Sequence, residues 1–363
     1  MTTVGILGGG QLGRMLALAG YPLGLGFRVL DPDPECPAGQ VAEQFVAGFD
    51  EPENLEAFVD GLDLVTYEFE NVPVQLARAL DQRVRVFPSV TALEASQDRL
   101  LEKTLFRDLG VPTARFAPVD DRRDLVRAAA DFGYPCLLKT RRFGYDGKGQ
   151  FLVRGEEDVA AAYAALGGVP LILEGFVDFD REVSLLAVRG RSGEVAFYPL
   201  VENHHADGIL RLSLAPAPKL ASGLQRKAET YVRRVLERTA YVGVLAVEFF
   251  EQAGELIANE MAPRVHNSGH WSIEGAVTSQ FENHLRAVTG LPLGSVDVRQ
   301  PSAMVNLIGE LPEICDVLAV PDCHVHLYGK APRPGRKLGH MTVRAATTGE
   351  LQERLQRVRA LVP

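Results

Sequence analysis

The sequence predicts a multidomain chain that is α/β at its start and mixed α+β beyond. Three observations carry this reading. Residues 2–18 run as strand, glycine turn and helix, and further strand–helix alternation follows. After Pro88-Ser89 that alternation gives way to longer helices and paired strands. And 363 residues exceed what one hydrophobic core usually serves, so two or three domains are expected. A net charge of −9 argues against nucleic acid or a membrane surface as partner. No apolar run reaches the length of a membrane span. Cys36, Cys136, Cys315 and Cys323 form no CxxC pair and no metal-ligand spacing, which suits a reducing compartment. The start, MTTVGILGGG, has no basic n-region, so no signal peptide and a cytoplasmic location are expected.

The first unit covers 1–95. Thr2 to Leu7 reads as a strand, and Gly8, Gly10 and Gly13 fit GxGxxG ahead of a helix. Phe27 to Leu30 is the next strand, ending at Asp31. This is a dinucleotide fingerprint, although glycines at a helix N-terminus admit any phosphate. Leu64 to Tyr67 and Val84 to Phe87 read as further strands. Glu68 follows a strand's carboxyl end, where such sheets bind ligands, and is a candidate; Glu70 reads as a surface acid.

The second unit begins with an amphipathic helix, Gln97 to Leu109, carrying Lys103. Cys136 to Lys139 reads as a strand that delivers Lys139. Residues 141–150, RRFGYDGKGQ, are basic and glycine-rich, so their amides and Lys148 can close over phosphates. No Walker loop is present. Leu171 to Leu173 leads into Glu174-Gly175-Phe176-Val177, a segment of the kind that seats adenine. Arg181 to Leu185 is a strand in which Glu182 can hold ribose hydroxyls. Phe197 to Val201 reads as a strand leading into Glu202-Asn203-His204-His205, whose histidines lack zinc-site spacing. A helix, Ser222 to Thr239, precedes the most informative stretch.

That stretch is a hairpin. Val242 to Phe250 and Glu255 to Met261 read as strands joined at Ala253-Gly254. Glu248 and Glu260 each sit in an apolar run, where a carboxylate is costly unless paired or metal-bound. Side by side they repel, and a hard divalent cation with substrate phosphates completing its shell resolves this. The strands alone also fit a solvated hairpin. The loop after them, with Arg264, His266 and Asn267, is dense in oxyanion-binding groups. From Leu291 a smaller unit follows, with strands near Ala303 to Ile308 and His324 to Tyr328 and a helix from Glu350. Between them Lys330 to His340 reads as a stiff basic loop, a phosphate grip in an acidic protein.

Together these pieces resemble the ATP-grasp superfamily. Within it, GGGQLGRM (8–15), DPDPECPAGQVA (31–42), YEFENVP (67–73), RRFGYDGKGQ (141–150), NHHADGI (203–209), NEMAPRVHNSGHW (259–271) and RPGRKLGH (333–340) look like the 5-(carboxyamino)imidazole ribonucleotide synthases. The resemblance covers nearly the whole chain. It implies a Rossmann-like N-terminal domain (1–95), an ATP-grasp domain (96–290, with a small lid at about 96–175) and a small β-rich C-terminal domain (291–363). It implies a ligase that uses ATP and bicarbonate to carboxylate the amine of 5-aminoimidazole ribonucleotide, through carboxyphosphate, in purine biosynthesis. Lys103, Lys139 and Lys148 would hold ATP phosphates. Glu174, Phe176 and Val177 would seat adenine, Glu182 the ribose, with His205 beside the nucleotide. Glu248 and Glu260 would hold Mg2+, or Mn2+, assisted by Asn259. Arg264, His266 and Asn267 would hold bicarbonate. Gln11, Leu12, Glu68, Lys330, Arg336 and Lys337 would bind the ribonucleotide, with Tyr145 and Asp146 at its amine. A homodimer is the expected assembly. Three rivals are a nicotinamide-dependent oxidoreductase, a non-catalytic nucleotide-binding subunit, and an ATP-grasp ligase with another acceptor.

Overall fold

The computed structural model describes residues 1–50, 54–144 and 147–362. Tyr145 and Asp146 therefore lie outside the described residues. The first sheet is parallel and built from β1 (Thr3–Leu7), β2 (Gly26–Asp31), β3 (Glu43–Val46) and β4 (Leu64–Tyr67), in the order β3-β2-β1-β4. The chain leaves β1 in one direction and returns on its other side as β4. Residues 8–13 and 68–71 consequently meet at the crevice beyond the carboxyl ends of β1 and β4. Strand β3 is polar and half-exposed, so it lacks the apolar run that marked its neighbours. Val84 to Phe87 forms only a bridge, Val65 with Val86, rather than a strand.

The second sheet is antiparallel, β5 (Phe116–Val119), β6 (Cys136–Thr140), β7 (Gln150–Val153) and β8 (Leu171–Gly175), ordered β5-β8-β6-β7. Helices Arg122–Phe132 and Asp158–Leu166 cover it through Leu125, Ala129, Val159 and Ala162. The expected helix from Gln97 to Leu109 is observed as Arg99–Asp108, and a further helix, Val90–Gln97, precedes it. Asp98 separates the two: its carboxylate accepts from the Leu100 and Leu101 amides and so starts the second helix.

The third sheet has nine strands: β9 (Arg181–Arg189), β10 (Val195–Phe197), β11 (Val201–Ala206), β12 (Ile209–Ala215), β13 (Gly243–Gln252), β14 (Glu255–Ala262), β15 (Ser302–Ile308), β16 (Cys323–Leu327) and β17 (Lys337–Arg344). Its path is β14-β13-β9-β11-β12-β15-β17-β16, with β10 on β9. The β12–β15 pairing carries this sheet across residue 291. Two expectations change here. Phe197 to Val201 straddles the break between β10 and β11, and His204 and His205 stand on β11 itself. Lys337 to His340 belongs to β17, in which every residue from Leu338 to Val343 is buried. Helix Gln280–Thr289 packs between the first helix and β13, through Leu16, Leu285 and Val244 in one core. That core ties the first sheet to the third and fixes the crevice between them.

Candidate functional site

One wall of the crevice is the glycine turn. Gly8 adopts φ +98°, and a side chain there would strike Glu68 and Phe69. Gly10 and Gly13 donate their amides to the two Glu68 carboxylate oxygens at 2.6 and 2.9 Å. Gly9 donates to Asp31 Oδ2 at 2.7 Å. Glu68 thus caps the helix N-terminus as an anion would. Burial raises its pKa despite the Gly13 and Gly10 amides and nearby Lys330. Lys330 Nζ hydrogen-bonds Gln11 Oε1, which closes the basic loop onto the helix start. Lys337, Gln11 and Leu12 line the cleft; Lys330 and Arg336 are not among its lining residues, and Arg336 donates to the Ala331 carbonyl.

The other wall is the β13–β14 hairpin. Ala253 and Gly254 both take positive φ, 50° and 77°, which is what a tight two-residue turn between twisted strands requires. Glu248 and Glu260 are direct register partners. Immediately beyond them the register slips, since Phe249 faces Ala258 and leaves Asn259 as an extra residue. Such a bulge brings successive side chains to one face, which strict alternation forbids. Asn259 and Glu260 accordingly both line the cleft. Neighbouring strands add Glu182 and His205 on the same face, with His205 Nδ1 2.5 Å from Glu182 Oε2. His204 turns the other way, to Glu202 Oε1 at 2.9 Å.

The acid pair is strongly unequal. Burial, then the charge of Glu260, raises the pKa of Glu248. Glu260 is also raised by burial, but Arg99 overcomes this and holds it below the usual carboxylate range. Arg99 Nη1 lies 2.9 Å from Glu260 Oε2. A divalent cation fits this oxygen set. The buried Asn259 Oδ1 has no hydrogen-bond partner and could supply a third oxygen to such a cation. Among the described residues no group of three or more His, Cys, Asp or Glu could hold a metal, so the remaining shell would come from bound oxygens.

Beside the pair lies an excess of buried positive charge. Lys139 and Glu174 are diagonal neighbours on β6 and β8, with Nζ and Oε2 2.9 Å apart. Lys103 Nζ is 3.5 Å from the same oxygen and 3.3 Å from the Ala258 carbonyl oxygen. Burial would raise Glu174, yet Lys103 and Lys139 bring it down to about 2. Burial lowers Lys139. One carboxylate serves two ammonium groups, which leaves room for further negative charge such as a polyphosphate. The Glu174 carboxylate is therefore turned to the lysines, while its Oε1 is buried without a partner. Lys103 is fully buried, Lys139 and Lys148 line the cleft, and Phe176 and Val177 flank the end of β8, half-exposed and half-buried.

Between the two walls sits the loop after β14. Arg264 Nε donates to Glu70 Oε2 at 2.5 Å. Glu70 is thus not a surface acid: burial is outweighed by Arg264, and its pKa falls to about 2. The Ser268 amide donates to His266 Nδ1 at 3.3 Å, so Nε2 carries the proton and faces Glu248 Oε1 at 3.3 Å. Burial and the nearby Arg264 push His266 down to about 3, which keeps it neutral. Asn267 and Asn306 exchange amide hydrogen bonds at 3.0 and 2.7 Å. All three loop residues line one cleft of about 570 Å³ with the acid pair, Lys139, Lys148, Gln11, Leu12 and Glu68. A second, more open groove, lined by Arg107, Arg115, Phe116 and Phe132, holds none of the predicted residues.

Comparison with known proteins agrees with this geometry. Residues 1–97 match the ribonucleotide synthetase preATP-grasp domain, 104–281 the ATP-grasp domain, and 302–354 the phosphoribosylaminoimidazole carboxylase C-terminal domain. The N5-carboxyaminoimidazole ribonucleotide synthase of Pseudomonas aeruginosa is 56% identical over 359 residues, 99% of each chain. The chain belongs to the N5-carboxyaminoimidazole ribonucleotide synthase family. The crystal structure of the Thermus thermophilus synthetase superposes with a TM-score of 0.96 at 64% identity, covering 99% of this chain and 98% of that one. The Aspergillus clavatus enzyme, solved with ADP and 5-aminoimidazole ribonucleotide, gives 0.93 at 34% identity over 99% and 98%.

Membership in this family removes the nicotinamide rival, and the glycine turn gives the physical reason. Asp31 accepts the Gly9 and Asp33 amides, and Glu68 takes those of Gly10 and Gly13, so carboxylates fill the fingerprint where a pyrophosphate would lie. Sequence reasoning also missed Arg99, Asp98 and Glu102. Glu102 is buried, accepts the Met261 amide at 2.6 Å, and is raised to about 8 by burial and by Glu260. A buried acid one residue before Lys103, on an amphipathic helix, was the available signal.

Proposed function

We propose that this chain is an ATP-grasp ligase that carboxylates the amine of 5-aminoimidazole ribonucleotide, using ATP and bicarbonate, in purine biosynthesis. One observation carries the reading. A single cleft joins an amide-and-lysine cradle, an acid pair with the adjoining buried Lys139, and an arginine–histidine–asparagine loop between them. The first suits a ribonucleotide phosphate, the second Mg2+ or Mn2+ with a nucleotide triphosphate, the third a small planar anion. A bound cation would draw charge from the transferring phosphoryl oxygens. Lys103, Lys139 and Lys148 hold the phosphates, the backbone at Glu174 with Phe176 and Val177 the adenine, and Glu182 the ribose, steadied by His205. Bicarbonate oxygen attacks the γ-phosphorus, ADP departs, and carboxyphosphate forms against Arg264, His266 and Asn267. The ribonucleotide amine takes the carboxyl carbon and phosphate leaves. Asp146, with Tyr145 beside it, receives the amine proton in this reading. A Rossmann-like domain to residue 95, an ATP-grasp domain to 290 and a C-terminal domain beyond, a homodimeric assembly and a cytoplasmic location complete the proposal. No described helix is long and apolar enough to cross a membrane.

The test is ADP release with and without 5-aminoimidazole ribonucleotide, at varied bicarbonate. Release that needs both supports the reading. Release indifferent to the ribonucleotide points to another acceptor, and nucleotide binding with no release points to a non-catalytic subunit.

The basic loop gives a narrower expectation. Arg336→Ala raises the KM for the ribonucleotide about tenfold and leaves that for ATP nearly unchanged. A charged hydrogen bond contributes about 1.5 kcal/mol at a partly exposed position, and 1.36 kcal/mol is roughly tenfold. Steady-state kinetics against each substrate checks this. An equal loss for ATP would assign the loop to folding or to the nucleotide.

A further inference from the structure

Gln280 opens the helix Gln280–Thr289 and is fully buried. The hydrogen bonds of its side-chain amide go to one neighbour, the loop after β14. Oε1 accepts the His266 backbone amide at 2.8 Å. Nε2 donates to the His266 carbonyl oxygen at 2.7 Å and to His270 Nδ1 at 3.1 Å. The side chain thus pairs with His266 as an adjacent strand would, using both of that residue's backbone groups. Its orientation is fixed, because the His266 N–H can meet only the amide oxygen. Two further contacts seat it. Ser272 Oγ accepts the Gln280 backbone amide at 2.9 Å and donates to the Gly269 carbonyl oxygen at 2.6 Å. A Cβ at Gly269 would lie 2.6 Å from Gln280 Oε1, so glycine there lets the amide approach. His266, Asn267 and His270 line the cleft, and Gln280 does not.

We infer that Gln280 is a positioning residue for the planar anion: its amide fixes the backbone of His266 and so sets where the His266 imidazole and the Asn267 amide stand. The inference rests on the proposed role of this loop in holding bicarbonate. Gln280 touches no reacting atom and acts through the loop. Asn306 holds the Asn267 side chain, while Gln280 holds the backbone just before it.

The experiment compares Gln280→Met, Gln280→Glu and His266→Ala in the full chain. The readouts are KM for bicarbonate, ATP and ribonucleotide, and melting temperature. Gln280→Met fills the same space without a donor or acceptor amide. It is expected to raise the KM for bicarbonate about tenfold and to leave that for ATP nearly unchanged. Gln280→Glu keeps the acceptor for the His266 amide. Protonated, it also keeps a donor for the His266 carbonyl; ionised, it turns a second oxygen against that carbonyl. Burial favours the protonated form. Its KM for bicarbonate, divided by the parent's at the same pH, is therefore expected to climb as pH rises. Burial holds His266 and His270 below the ordinary imidazole range, so the slope reports the introduced carboxyl. A folded Gln280→Met with the parent's KM for bicarbonate overturns the inference, as does a loss shared equally by bicarbonate, ATP and ribonucleotide. A Gln280→Glu ratio that is flat with pH also overturns it, and this arm decides should Gln280→Met fail to fold. His266→Ala separates the two readings. An unchanged KM for bicarbonate there ends the loop's anion role; a raised one beside an unaltered Gln280→Met ends only the positioning.

Discussion

Glu260→Gln is expected to lower turnover on the order of 100-fold or more while ATP still binds. Glutamine keeps the size and one acceptor oxygen but removes a charge from the cation site. A bound metal stabilises phosphoryl-transfer charge by several kcal/mol, and each 1.36 kcal/mol is about tenfold. The register of β13 and β14 makes the loss specific, because Glu248 faces Glu260 directly and no third carboxylate of the hairpin replaces it. The substitution also releases Arg99 from its 2.9 Å contact. That pair is partly exposed and contributes less than the metal does. Raising magnesium is expected to restore part of a weakened cation site. The measurement is turnover against magnesium at saturating ATP. Activity equal to the parent's at limiting magnesium would remove Glu260 from the site.

Much of this site was legible because its signals are local. Acids inside apolar runs mark Glu248 and Glu260 within one hairpin, and alternation along two strands is enough to put them on one face. Lys139 and the glycine-rich segment stand out for the same reason. What stayed hidden depends on contacts between distant parts of the chain. Glu70 looked like a surface acid because its partner Arg264 is 194 residues away. The two-carboxylate filling of the glycine turn needs Asp31 and Glu68, which reach it from the ends of β2 and β4. Asp98 hid inside an amphipathic pattern that continues across it. Its effect shows only once Arg141 arrives and the helix restarts at Arg99. β17 was masked by its own basic start, Lys337, after a proline- and glycine-rich turn. The bulge at Asn259 cannot be read from periodicity, since a one-residue slip is what periodicity assumes away.

Arg264→Ala is expected to abolish bicarbonate-dependent ADP release, by a factor on the order of 100 to 1,000, with ATP binding retained. Removing one donor aimed at developing oxyanion charge costs about that much. The guanidinium sits between the acid pair and the glycine turn, and its loop neighbours His266 and Asn267 line the same cleft. Its present partner is Glu70, so the substitution also leaves a half-buried carboxylate without its ion pair. Leaving such a charge without its partner destabilises a fold by roughly 1–3 kcal/mol, and loss of activity by unfolding would mimic loss of the anion site. The double variant Glu70→Gln/Arg264→Ala removes that ambiguity. It should recover thermal stability and remain unable to use bicarbonate. Arg264→Lys should rescue only partly, because it retains the charge without the fork. The measurements are melting temperature, nucleotide binding, and ADP release at varied bicarbonate for all three variants. If the double variant turns over with the parent's bicarbonate dependence, the planar anion lies elsewhere in the cleft. Arg264 would then serve to neutralise Glu70 and to fix the chain as it leaves β14.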